Sequence, residues 1–316
     1  MNTDSPYVEK TRKVTVSKGI QYILLSTLCF SLVNVFVKLL GKPTVLTPNI
    51  QEYPTHELVF FRSLISLSIT AALLKKKRLP LLGTNKKWLI IRGVFGVMAL
   101  TTFFYTLKEL PLAVAVTVQY LSPLFTVLFA IWIIKEKVNP LQWLFFAVAL
   151  IGIAVISLRN SDSGTLNASE ISPFWILMGI MSAVFSGVAY TAILKCKETD
   201  SALNIVLYFP LIATPIMGIW CLFDFVMPRG IEWLFLLIIG LFTQFAQVFM
   251  TKALHEGGAA KITPFKYLGA IYAFFIGLLL FGEVLSWTAL AGIFLILIGV
   301  LGNALLKKPK RTAPKT

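Results

Sequence analysis

The sequence predicts an all-α integral membrane protein, with ten transmembrane helices arranged as two inverted five-helix repeats. Composition is the first observation. Of 316 residues, 57% are hydrophobic and 14% charged, with mean hydropathy +0.81. Soluble domains are nearer a quarter charged, so the outer solvent of this chain is largely lipid. Ten apolar runs are the second, each near the ~20 residues that carry a helix across ~30 Å of hydrocarbon. The third is a stretch that occurs twice. Glu109 leads through a small-residue turn and Tyr120-Leu121 to Glu136, and Glu256 leads in the same way through Tyr267-Leu268 to Glu283. The offset of 147 residues also matches Gly93 with Gly240, Phe95 with Phe242 and Gly152 with Gly299. Leu and Ile matches arise by chance in apolar sequence; Glu, Tyr and Gly matches in one register mark an internal duplication.

Residues 1–18 are polar and basic and read as a cytoplasmic tail, disordered or lying on the membrane surface. The first run, 19–40, is too long for a signal-peptide core and no small-residue cleavage site follows it. The other runs are 57–74, 88–107, 112–134, 140–158, 173–194, 203–223, 231–250, 259–281 and 286–306. Lipid offers no backbone partners, and the runs lack the alternation of barrel strands, so each reads as helix. Loop charges orient them. Twenty Lys and Arg fall in the tails and loops of one side and four on the other, which places both termini in the cytoplasm. Five helices per half is an odd number, so the second copy enters upside down. The first repeat is 19–158, the second 173–306, the polar linker 159–172 and the basic cytoplasmic tail 307–316. Helices 1 and 6 correspond through Phe30-Ser31 and Phe185-Ser186, at an offset of 155, and the longer 41–56 loop accounts for the difference.

Phe60-Phe61-Arg62, Arg92-Gly93, Pro123, Pro264-Phe265-Lys266-Tyr267 and the Glu closing helices 4 and 9 (Glu136, Glu283) resemble the EamA-type carriers of the drug/metabolite transporter superfamily. The combination is similar to the branch of S-adenosylmethionine uptake carriers and their animal relatives. The resemblance implies solute transport through a central cavity lined by helices 1–4 and 6–9, with helices 5 and 10 peripheral.

An ionisable side chain inside the bilayer faces a cavity or a partner. Arg62 lies about 8 Å deep in helix 2 at 1.5 Å per residue. It is read as a clamp on a carboxylate or phosphate, as a residue snorkelling to the outer headgroups, or as a structural pair with Glu57 or Glu109. Lys266 lies roughly 10 Å deep in helix 9, beside Pro264, and its copy in the first half is Gln119. Each is followed by a tyrosine, Tyr267 and Tyr120, so the four form an expected polar layer near the symmetry axis. Arg92, Lys261 and Lys38, near helix ends, are expected to snorkel, and Glu136 and Glu283 to cap helices 5 and 10 or to form gating pairs, Glu136 with a cytoplasmic Lys for example. Asn34, Tyr105, Tyr190, Gln244 and Gln247 are further candidates for the cavity lining; Gln244 and Gln247 share a helix face. Pro123, Pro210 and Pro215 are candidate hinges.

Arg62 and Lys266 are basic, and no Asp or Glu lies in the middle third of any run. The expected substrate is a small organic solute bearing a carboxylate or phosphate, moved by alternating access; a lipid flippase is the alternative. Net charge is +15, but it sits in short loops and tails rather than on a base-stacking face, which excludes nucleic acid. The two histidines lie at membrane ends, with no catalytic or zinc motif, so no enzyme and no cofactor is expected. Cys29, Cys196 and Cys221 are scattered singly. A channel needs a ring of carbonyls or like charges, which a two-fold repeat does not supply. The glycines of helix 10, Gly292, Gly299 and Gly302, could face helix 5 or a second protomer, leaving a homodimer open. The bacterial inner membrane is the expected location; the Asn167-Ala-Ser sequon matters only in a eukaryotic secretory route.

Overall fold

Each of the ten apolar runs carries helix in the structure, a computed structural model that describes residues 6–42, 49–134, 140–157, 172–196, 199–257 and 265–305. In chain order the helices are α1 Pro6–Gly41, α2 Thr55–Lys76, α3 Lys86–Glu109, α4 Leu112–Gln119, α5 Ser122–Ile134 and α6 Leu141–Ser157. They continue with α7 Pro173–Cys196, α8 Ala202–Cys221, α9 Glu232–Gly257, α10 Leu268–Phe281 and α11 Trp287–Leu305. Among the described residues, seven apolar helical stretches are long enough to cross a membrane, and those of α6, α10 and α11 are shorter. Residues 6–18, expected as a tail, are helical and continuous with α1. Glu136, Lys261, Pro264, the 159–171 part of the linker and the 307–316 tail lie outside the described residues.

The run 112–134 is two helices, α4 and α5, broken at Tyr120-Leu121. Pro123 has no N–H to continue the ladder, and the chain turns through Leu121 N–H to Val118 O at 3.0 Å. The second half breaks at the matching place, since α10 starts only after Tyr267. Broken helices inside a membrane bundle leave backbone groups free for other partners. Pro210 and Pro215 lie within α8 without ending it.

The dominant helix pairs join the two halves: α1 with α9, α3 with α7, α2 with α8 and α6 with α11. Exchange the halves and the set is unchanged. Buried hydroxyls mark the mirrored joints. Ser26 donates to Ala246 O in α9 at 2.8 Å, and Ser182 donates to Ala99 O in α3 at 2.7 Å; the two acceptors are 147 residues apart. α2 and α8, which correspond, run in opposite directions. The start of α2 meets the α8–α9 loop, where Glu57 accepts from Val226 N at 2.9 Å. The start of α8 meets the α2–α3 loop, where Asn204 Nδ2 donates to Pro80 O at 2.6 Å.

α6 and α11 pack through glycines. A Cβ at Gly292 or Gly299 would meet the α6 backbone at 2.7 Å or less, and one at Gly302 would meet the Phe145 ring. The glycine stripe of helix 10 is therefore spent against helix 5, inside the chain, and gives no support to a second protomer. Small residues allow such close approach where lipid removes the hydrophobic drive between helices. Outward-facing side chains are large and apolar, as in Trp132 and Trp287, both 86% exposed, and Leu279 at 77%; water would oppose this and lipid does not.

Candidate functional site

A cavity of about 190 Å³ lies at the centre of the bundle. Its walls come from α1, α2, α3, α4, α7, α8 and α9, with Ser122 of α5 and Lys266 just ahead of α10; α6 and α11 contribute nothing. Both broken helices meet here. Tyr120 and Tyr267 stack edge to face with centroids 5.1 Å apart, and the Tyr120 hydroxyl donates to the Lys266 carbonyl at 2.8 Å. The break before α10 frees that carbonyl from the helix ladder, and the other half of the molecule uses it.

Seven of the ten residues read from the sequence line the cavity: Arg62, Lys266, Gln119, Tyr120, Asn34, Tyr190 and Gln247. Three do not. Tyr267 is buried behind Tyr120. Gln244 is turned toward α2, where Ser66 donates to it at 2.8 Å. Gln244 and Gln247 do share a helix face, but that face spans the α2 contact as well as the cavity. Tyr105 lies half-buried on α3, the next residue after the lining pair Phe103-Phe104, and is not itself part of the wall.

Arg62 is 5% exposed. Its Nε donates to Thr243 Oγ1 at 2.9 Å, and its guanidinium sits 5.6 Å from the Phe104 ring and 5.4 Å from the Phe209 ring. Neither expected carboxylate partner is there. Glu57 is committed to the Val226 N–H, and Glu109 pairs with Lys42 at 2.5 Å. Arg92, read as a snorkelling residue, is instead 9% exposed on the cavity wall, its guanidinium 6.0 Å from the same Phe209 ring. Gly96, one turn further along α3, makes the room: a Cβ there would meet Arg92 Nη1. Arg92 followed by a glycine four residues later was visible in the sequence, and helix neighbours at that spacing share a face. Counting depth from the helix end hid this, because the end of α3 is covered by α7 and α8 rather than by headgroups.

Lys266 reaches the Tyr190 ring at 5.5 Å. Gln119, its counterpart, is held by α7: its Nε2 donates to Ser186 at 2.9 Å, and Ser182 Oγ lies 2.7 Å from its Oε1. Three cations therefore face one cavity, and none of the described residues that line it is Asp or Glu. Cation–π contacts hold them without neutralising them.

Ion pairs close the bundle at one end. Lys38, another residue read as snorkelling, pairs with Glu283 at 2.6 Å and donates to Leu110 O at 2.6 Å. Glu283 accepts from Leu112 N at 2.7 Å, so it caps α4 rather than the helix that follows it. Gly282, at φ +63°, makes the turn that aims it there. Lys42–Glu109 and Lys108–Glu52 (3.3 Å) stand beside this pair. Lys38 lies one helical turn beyond Asn34, so this cluster sits directly over the cavity. Nearby, Glu232 accepts from the Tyr53 hydroxyl at 2.6 Å; burial first, and then that carboxylate, push the Tyr53 phenol above its ordinary value. At the opposite end Asp200 accepts from the backbone N–H groups of Thr84 (2.5 Å) and Asn85 (3.2 Å). Burial acts to raise the Asp200 carboxyl, but these bonds and the Thr199 and Thr84 hydroxyls outweigh it and hold the group below its ordinary value.

The EamA-like transporter family matches the chain twice, at residues 17–158 and 173–305, one match in each half. A pseudopaline exporter of Pseudomonas aeruginosa is 29% identical over 299 residues, covering 93% of this chain and 98% of that protein. An S-adenosylmethionine uptake transporter of Rickettsia prowazekii is 24% identical over 267 residues, covering 83% and 85%. A solved crystal structure superposes with a TM-score of 0.61 at 20% identity, over 91% of this chain and 96% of that one; it supports the fold alone.

Proposed function

This chain belongs to the EamA-like transporter family, and from that premise we propose that it carries a small organic solute bearing a carboxylate or phosphate. The single observation that carries the reading is the unbalanced cavity: Arg62, Arg92 and Lys266 on its wall, and no acidic side chain among the described lining residues. Holding cations in a bilayer without counter-charge is costly, and a negatively charged solute removes that cost. Arg62 and Arg92 grip the anionic group. Lys266 and Tyr190 hold the remainder, and Gln119, Asn34, Gln247 and Tyr120 supply hydrogen bonds. The relatives act on organic metabolites in opposite directions by their names, one an exporter and one an uptake carrier, so the family sets no direction here.

In this reading ten helices span the membrane of a bacterial cell, as two inverted repeats of five with both termini in the cytoplasm. The Lys38–Glu283 end then faces outward, and its ion pairs form the outer gate of an alternating-access cycle. Breaking them lets α4 and α10 separate, and the Tyr120–Tyr267 contact at their inner ends transmits that motion to the cavity.

Proteoliposome uptake tests the proposal. The panel is labelled di- and tricarboxylates, amino acids, nucleotides and S-adenosylmethionine, each with and without a pH gradient and with matched solute inside. The expected result is saturable movement of an anion that is lost in the Arg62→Ala, Arg92→Ala double variant and weakened in Lys266→Ala. Movement of fluorescent lipid with no soluble compound crossing would put a flippase in its place.

A further inference from the structure

At the 147-residue offset Gly96 of α3 corresponds to Thr243 of α9. Each copy of this position meets one of the two arginines, and in opposite ways. Thr243, 2% exposed, accepts from Arg62 Nε at 2.9 Å. Arg62 has no ion pair among the described residues. Its guanidinium also lies over the Phe104 and Phe209 rings, which hold a cation above a face without fixing its rotation. The Thr243 hydroxyl fixes it. That hydroxyl is neutral, so it orients the charge without cancelling it. By taking Nε it leaves the two-nitrogen end, the fork that grips a carboxylate or phosphate, outside the bond. Gly96 acts by absence. A Cβ there would meet the tip of Arg92, at Nη1, and Phe209 Cδ2 at 3.0 Å. Glycine inside a helix is a local cost, and α3 runs on through position 96 to Glu109 with no left-handed turn to require it. The room it leaves is taken by Arg92, four residues earlier on the same face.

We propose that this one repeat position determines specificity: Thr243 and Gly96 are positioning residues that set the spacing and angle of the Arg62 and Arg92 guanidiniums, and so the anionic group that the central cavity accepts. The inference rests on the reading of that cavity as an anion site. Both guanidiniums stand over one ring, Phe209, at 5.4 and 6.0 Å, and both line the cavity. Like charges that share a ring move apart unless something holds them. The hydroxyl at 243 pins one, and the gap at 96 admits the other close against its own helix. The reverse assignment fails on both counts. A threonine at 96 would strike Arg92, and a glycine at 243 would leave Arg62 Nε without its acceptor. The two copies of the position therefore differ in the way the two arginines require.

The test is uptake by proteoliposomes of the full-length chain. The probe is the labelled acid of the panel above that the wild-type chain carries, beside the same molecule with its acid group blocked as an amide or ester. Thr243→Val keeps the shape of the side chain and removes the acceptor. It is expected to raise KM for the acid about tenfold, with kcat within about twofold of wild type and uptake of the blocked form unchanged. Thr243→Ser keeps the oxygen and restores most of the lost affinity. Gly96→Ala is expected to raise KM for the acid in the same way, while its melting temperature in detergent stays at or above that of wild type, because alanine favours the helix. A wild-type KM in Thr243→Val would overturn the proposal. So would equal losses in Thr243→Val and Thr243→Ser, a loss shared equally by the acid and its blocked form, or a Gly96→Ala protein that melts lower with KM unchanged. A wild-type chain that shows no preference for the acid defeats the anion reading itself, and this inference with it. A wild-type chain that prefers the acid, matched by its Thr243→Val variant, defeats this inference alone.

Discussion

The two halves of this molecule share a frame and divide the charge unequally. Position for position, Arg62 corresponds to Phe209 and Arg92 to Ile239 at the 147-residue offset, and Lys38 to Ile193 at 155. Of the three cations on the cavity wall, one, Lys266 opposite Gln119, comes from the second half. The apolar contacts, the glycine approaches and the helix breaks are what the duplication supplies twice. Arg62, Arg92, Lys266 and Lys38, each without a cation at the matching place, turn a symmetric bundle into one with a basic wall and a lockable end. Phe209 shows how the asymmetry is used: the residue that stands where the second half would have its arginine packs against both arginines of the first.

The comparison breaks most severely at Lys38. Lys38→Met leaves Glu283 buried without its cation and is expected to cost about 3 kcal/mol or more, read as a fall in melting temperature in detergent. Lys38→Met with Glu283→Leu recovers much of that loss, because an apolar pair tolerates burial. If the double variant melts as low as the single, the pair is not what closes this end. The arginines come next. Arg62→Ala or Arg92→Ala is expected to lower kcat/KM for the transported anion by roughly 100-fold, the scale of a lost charge-assisted contact. Sharpening the likeness instead, Lys266→Gln makes the second half resemble the first. It is expected to raise KM about tenfold with a smaller change in kcat, since Tyr190 still offers a wall and Arg62 and Arg92 still hold the anion. The smallest effect belongs to Asp200. Its folded-state value is held below the ordinary one, so its stabilisation is present above about pH 4 and fades as pH falls through the folded value. Asp200→Asn is expected to flatten the acid limb of melting temperature against pH by a few degrees at most, because the carboxylate is largely solvent-exposed.

Most of the frame was legible in the sequence because a bilayer leaves the chain few options. Apolar runs near twenty residues must be helices, and the matching Glu, Tyr and Gly positions give the repeat away. Seven of the ten candidate site residues reached the cavity for the same reason, as polar groups deep in lipid need a polar neighbour. What the sequence hides has a common cause. Depth along one helix says nothing of what covers its end, so Lys38 and Arg92 were assigned to headgroups although α10 and α8 stand over them. Tyr267 and Gln244 are polar and deep, yet their partners are Tyr120 and Ser66, found only when helices are laid side by side. Glu283 was expected to cap the next helix, but the left-handed turn at Gly282 sends it across to α4.

The central claim is that an unbalanced basic wall selects solutes by negative charge. The most direct measurement compares uptake by proteoliposomes of a transported acid with that of its neutral amide, a pair alike in size and shape. The predicted result is saturable uptake of the acid, with the amide slower by about 100-fold and the difference abolished in the Arg62→Ala, Arg92→Ala double variant. Equal uptake of acid and amide by the wild-type chain would contradict it, and would mean that the three cations hold the bundle rather than the cargo.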